Sequence, residues 1–133
     1  VKLLWNDKDG GPESRVWCWG IESKGLGSVL LMRFAEGSRE AYHTHAFNAI
    51  SWVLRGCLQE RPLWAAPFEF RHHRAGPVPI VTKRNTFHQV HGMAPNTWVL
   101  SFRGPWVNLW LELNRWGLQT LTNRRQVLRT EAV

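Results

Sequence analysis

Gly37-Ser-Arg-Glu-Ala-Tyr-His43-Thr-His45-Ala-Phe-Asn-Ala49, continued by Ile50-Ser-Trp-Val-Leu-Arg-Gly56, is the stretch on which the fold turns. In an extended strand, residues i and i+2 face the same way, about 6.5–7 Å apart along the backbone. His43 and His45 therefore share a face. Two imidazoles on one face can converge on a single metal ion at about 2.1 Å each. A third ligand must then come from a neighbouring strand. His88, within Thr86-Phe-His-Gln-Val90, lies in such a run.

Working outward, the chain is a series of short apolar or alternating runs: 15–21, 27–35, 46–55, 68–72, 78–82, 86–90, 97–103 and 106–113. Glycine or proline separates most of them, at Gly25, Gly37, Gly56, Pro67, Gly76, Pro77, Gly92, Pro95, Gly104 and Pro105. Many short strands with turn residues at this spacing indicate an all-β sandwich or barrel. The first 14 or so residues, through Asp9-Gly10-Gly11-Pro12, read as an arm. Helical periodicity fits only around 122–132, where Arg124, Arg125 and Arg129 make a basic tail that is a short helix or frayed. The expected layout is a single domain over 1–133: arm and first strand over 1–26, barrel over 27–113, basic tail over 114–133.

The bracketed pair resembles the first motif of the cupin superfamily, G-x5-H-x-H-x3-E-x6-G. Every fixed position matches except the glutamate, which is replaced by Ala49. The second cupin motif, G-x5-P-x-G-x2-H, is matched more loosely, with Gly76 at its start and His88 as its histidine. Its proline and second glycine are absent. Asn85 stands at the glycine's place, and asparagine is among the few other residues that tolerate positive φ. Trp52-Val-Leu-Arg-Gly56 and Trp98-Val-Leu-Ser-Phe-Arg-Gly-Pro-Trp106 are also similar to small single-domain cupins of phages and bacteria.

This resemblance implies a double-stranded β-helix, a jelly-roll barrel with a metal in its mouth held by His43, His45 and His88. Without the glutamate, three neutral imidazoles leave a divalent ion its full charge and about three open positions if it is octahedral. Such a site favours an anionic ligand beside O₂. By resemblance to three-histidine cupin dioxygenases, Fe(II) is the favoured metal. Imidazole also suits Zn, Ni and Cu. The sole tyrosine, Tyr42, is expected to point away from the pocket by strand alternation, which argues against a cysteine dioxygenase.

Alternation from the histidine pair puts Phe47, Ala49, Ser51 and Val53 on the inner face, and Thr86 and Val90 beside His88. On 97–103, either Trp98, Leu100 and Phe102 or Val99, Ser101 and Arg103 face in, and the first is the expected core set. Arg33, Ser51 and Arg103 are the candidate substrate contacts. His72 and His73 read as a solvated edge, and His91 as a loop residue. Ile50, Trp52 and Leu54 on the outer face call for a cover, either the arm with Trp17 and Trp19 or a second subunit, so a homodimer is expected.

The 133 residues (15.5 kDa) hold one core. At 44% hydrophobic and 20% charged, wholesale disorder is excluded. No run nears the ~20 apolar residues of a membrane span, and no signal-peptide pattern opens the chain. The expectation is a cytoplasmic protein without membrane contact, in the host cytoplasm if phage-encoded. Cys18 and Cys57 make no disulfide framework. Nine tryptophans and a net charge of +7 stand out. Thirteen of the 17 basic residues are arginine, which grips planar anions. They are scattered along the chain, which disfavours nucleic acid. Two functions from different classes fit: an Fe(II)-dependent oxygenase of a small anionic molecule, or a non-catalytic cupin that captures an anion such as a nucleotide or sugar derivative. A structural jelly roll with relic histidines is the third.

Overall fold

A computed structural model describes residues 1–11, 14–36, 42–63 and 70–133. Gly37 of the first motif and the start of the run at 68–72 lie outside these residues. The described chain is all β, with strands β1 (Lys2–Lys8), β2 (Val16–Glu22), β3 (Ser28–Phe34), β4 (Tyr42–His43), β5 (Ala49–Arg55), β6 (Cys57–Pro62) and β7 (Arg71–Arg74). They are followed by β8 (Ile80–Thr82), β9 (His88–Gly92), β10 (Thr97–Arg103), β11 (Leu109–Asn114), β12 (Gly117–Thr122) and β13 (Val127–Glu131). Two antiparallel sheets face each other. One runs β1-β2-β3-β10-β5-β8 and the other β13-β12-β11-β4-β9-β6-β7. Among the described residues no helix is long and apolar enough to cross a membrane.

The main core lies between the sheets and comprises Leu4, Val16, Cys18, Leu30, Met32, Phe34, Val53, Leu58 and Val99. Burying side chains of this size contributes about 1.5–3 kcal/mol each. A smaller cluster of Ala46, Phe47, Trp110 and Leu121 packs apart from it, with Trp106 against it.

The chain changes sheet at Gly56, between β5 and β6. Gly56 has φ 87°, and a Cβ there would come within 2.5 Å of the Thr97 hydroxyl. Only glycine meets both demands. The spacing from His45 to Gly56 is thus set by a turn that carries the chain across the barrel.

Four expectations are corrected. The N-terminal arm is a strand: β1 pairs with β2 and buries Leu4, with an irregularity at Asn6, whose φ is 57°. The basic tail is not helical, because β12 pairs with β11 and β13 with β12. On β10 the inward set is Val99, Ser101 and Arg103, all buried, while Trp98 and Leu100 are half-exposed and Phe102 is exposed. Asn85 is not in the left-handed region, which among the described non-glycine residues holds Asn6, Asn96 and Arg125.

Candidate metal centre and its cavity

His43 and His88 are direct cross-strand partners, on β4 and β9. Residues opposite one another in an antiparallel pair point to the same face. His45 follows in the segment that leaves β4 for β5. That segment is pinned on both sides: the Thr44 N–H donates to the Leu111 carbonyl (2.9 Å) and the His45 N–H to the Arg84 carbonyl (3.1 Å).

The three rings meet edge to face, with centroids 4.8 to 5.2 Å apart. One ring nitrogen from each lies within 4.8 Å of the others. His45 Nε2 and His88 Nε2 are 2.9 Å apart.

Glu60, on β6, fixes the state of His88. Its Oε2 is 2.6 Å from His88 Nδ1 and its Oε1 is 3.2 Å from His73 Nε2. The hydrogen bond from His88 holds the Glu60 carboxyl down at about 2, against burial, and His73 assists. An ionised carboxylate only accepts, so His88 Nδ1 carries the proton and donates it. The Nε2 lone pair of a neutral His88 then points into the cluster. A carboxylate–histidine pair of this kind orients metal-ligating imidazoles and raises their basicity.

These residues fit a metal ion. Two nitrogens at ~2.1 Å from one ion and ~90° apart lie about 3.0 Å from each other, close to the 2.9 Å between His45 Nε2 and His88 Nε2; the three donors together spread to 4.8 Å, so the set would close in on an ion. The donor set is all imidazole, which suits Fe, Zn, Ni and Cu.

The cluster opens into a cavity of about 190 Å³ between the sheets. Ala49, Ser51 and Phe47 line it, as alternation from the histidine pair predicts, together with Val90. Thr86 is not among the lining residues. Ser51 Oγ donates to Ser101 Oγ across the β5–β10 pair (3.0 Å). Arg103 lines the cavity beside them and forms a bidentate ion pair with Asp9, at 3.1 and 2.7 Å. Burial acts to lower its pKa, but the Asp9 carboxylate outweighs that and raises it.

Arg33 is elsewhere. Its guanidinium lies over the Trp17 ring at 5.0 Å and donates to Asn96 Oδ1 (3.2 Å), outside the cavity lining. Ser51 and Arg103 are thus brought together with the histidines, and Arg33 is not.

His72 is exposed on β7 and accepts from Gln59 Nε2 (3.3 Å). His73, also expected on that solvated edge, instead turns to Glu60 and lines the cavity. His91 belongs to β9, not to a loop.

With the sheets and the site described, the class is clear: the chain has the double-stranded β-helix fold of RmlC-like cupins, with a three-histidine cluster able to hold a metal ion. Among solved structures it is similar to KdgF from Halomonas sp. (18% identity, 78% of this chain and 94% of that one, TM-score 0.55). It is also similar to an uncharacterized conserved protein with a double-stranded β-helix domain from Klebsiella pneumoniae (15%, 79% and 83%, TM-score 0.56). A third is a sugar phosphate isomerase of the cupin superfamily from Silicibacter pomeroyi (13%, 86% and 81%, TM-score 0.52). At these identities the likeness is one of fold. No protein-family model and no curated protein matches the sequence.

Proposed function

We propose that the protein is a metal-dependent cupin that binds a small anionic molecule between the His43–His45–His88 centre and Arg103, and that with Fe(II) it acts as an oxygenase. The observation that carries this reading is the pairing of Ala49 with Arg103 across β5 and β10. Ala49 stands where the cupin motif has its glutamate, and its Cα partner is Arg103. A position that would carry negative charge is empty of it, and a guanidinium lies alongside. Asp9 already answers that guanidinium with a carboxylate, and an anion is thus the complement of the arrangement.

The residues have separable tasks. His43, His45 and His88 would hold the ion, and Glu60 keeps His88 in the tautomer that can bind it. A ferrous ion, when bound, supplies a Lewis-acidic, redox-active centre with open positions for substrate and O₂. Arg103 holds and orients the anion, Ser51 and Ser101 offer hydroxyls along the wall, and Phe47 and Trp106 shield the mouth from water.

Trp106 and Trp110 in the cavity lining favour one second reading, a cupin that captures a flat anionic ligand by stacking without turnover. One experiment separates the two. Protein reconstituted anaerobically with Fe(II) is exposed to O₂ in the presence of a panel of small carboxylates and phosphates. Oxygen uptake that depends on one ligand class and on His45 supports the oxygenase. Ligand binding without uptake supports capture.

A further inference from the structure

Arg103 is 8% exposed, and its guanidinium stacks on the Phe47 ring at 4.6 Å. Nη1 and Nη2 donate to the two Asp9 oxygens, and Nη2 also lies 3.3 Å from Met32 Sδ. Its Nε–H is buried and meets no acceptor among the described residues, so the pair with Asp9 does not exhaust its donors.

Asp9 is differently placed. It follows the last residue of β1, an edge strand, and its side chain is 32% exposed. Gly10 and Gly11 follow, with φ of 99° and 97°, values that L-residues rarely adopt. Asp9 and Gly10 both line the cavity. A buried arginine needs a counter-ion, and here that ion comes from an edge strand that runs straight into a two-glycine segment.

We propose that Asp9 is a displaceable stand-in for the ligand, and that the ligand is a small carboxylic acid. The incoming carboxylate takes the Arg103 fork and Asp9 turns out on the Gly10–Gly11 segment. This rests on the cavity being the ligand site and adds the chemical class of its occupant. The exchange keeps one negative charge on Arg103 throughout, so no buried cation is left unpaired. A carboxylate is the class proposed because it reproduces the Asp9 group that the guanidinium grips with two parallel bonds; an arginine fork can take phosphate in the same way, so phosphate is the competing outcome of the test. A ~150 Å³ apolar cavity holds benzene, so about 190 Å³ suits a ligand of roughly six to eight non-hydrogen atoms.

The test is a titration of the full chain with acetate, malonate and succinate, and with inorganic phosphate and chloride at equal ionic strength. It follows the intrinsic tryptophan fluorescence, to which Trp106 and Trp110 contribute from the cavity lining, and is run with and without Zn²⁺. Asp9→Asn keeps the shape and removes the competing charge. It is expected to tighten malonate or succinate binding at least tenfold, with phosphate weaker and chloride inert. Arg103→Gln is expected to abolish the response and keep stoichiometric Zn²⁺. Equal or weaker carboxylate binding by Asp9→Asn overturns the proposal, as does a preference for phosphate, an equal response to chloride, or a response that survives Arg103→Gln.

If Asp9→Asn does not fold, hydrogen exchange on the unaltered protein decides. The Asp9 N–H donates to the Val16 carbonyl at 2.8 Å. Succinate should speed its exchange, and unchanged exchange overturns the proposal. Zn²⁺ that fails to bind while the carboxylate response persists sinks the metal reading alone. Zn²⁺ that binds with no Asp9-dependent response sinks this one alone.

Discussion

Glu60 touches two histidines and is the residue through which the metal centre reaches the surface of β7. Its folded pKa of about 2 lies below the ordinary 4.5. The ionised form therefore stabilises the fold at pH above 4.5, and that contribution is lost as pH falls from 4.5 toward 2. The shift corresponds to about 3 kcal/mol. In chelator-treated protein, the stability difference between wild type and Glu60→Gln should shrink over that window in denaturant titrations; a difference that is flat from pH 7 to 2.5 contradicts the assignment. Metal affinity of Glu60→Gln should fall about 10–100-fold. Cys18 is the second residue-scale case. Burial, with Asp9 nearby, pushes its thiol up to about 12. Iodoacetamide at pH 8 should label Cys57, which is partly exposed, and spare Cys18 until the protein unfolds. The histidine triad was legible in the sequence because strand alternation and glycine spacing are local. Glu60 was legible only as a residue just past Gly56 that could face the pocket, without a side assigned to it. There the chain passes from one sheet to the other and the in-out parity of β5 no longer applies.

Gly56 is the element-scale hinge of the site. It ends β5 on one sheet and starts β6 on the other, which brings Glu60 under His88. Gly56→Ala forces an L-residue to positive φ against the Thr97 hydroxyl. It should cost about 1–3 kcal/mol, read as a lower denaturation midpoint with the unfolding slope unchanged. A loss under 0.5 kcal/mol would show that the turn can relax. Strand β10 shows why one element was misread. Its alternation is plain, but assigning a face from it assumes a wet exterior. Here the outer face is apolar, and the inner one carries Ser101 and a paired Arg103. The terminal strands were missed for another reason. β1 and β13 are held by pairing with neighbours, and neither Lys2–Lys8 nor Val127–Glu131 has an unbroken apolar alternation of its own to announce it.

At the scale of the whole molecule, the outer face of the six-stranded sheet dominates. Leu3, Trp5, Ile21, Val29, Leu54, Val81 and Phe102 are exposed on it. Trp52 is half-buried there, edge-on to Phe102 at 5.9 Å, with its indole N–H donating to the Pro77 carbonyl. The N-terminal strand extends this sheet at its far edge, so it does not cover Trp52. Five strands of seven residues and the three-residue β8, ~4.8 Å apart, span about 600 Å², approaching the ~800 Å² per partner of a stable interface. Ile21, Val29, Ile50, Trp52 and Phe102 are uncharged, so two copies of a +7 chain can meet over them, with Arg33 on the same face over Trp17. The expectation is a dimer by light scattering. Phe102→Glu should convert it to monomer and leave metal binding intact, whereas a wild-type monomer would contradict it.

The central claim is that three imidazoles, set by one strand pair and one crossing segment, hold one ion. Metal stoichiometry tests it most directly. Untagged protein is reconstituted anaerobically with Fe(II) or Zn²⁺, freed of excess metal and analysed for the element, beside His45→Ala and His72→Ala. A stoichiometric ion is expected in wild type and in His72→Ala, and none in His45→Ala. Stoichiometric metal in folded His45→Ala, or its loss in His72→Ala alone, would contradict it.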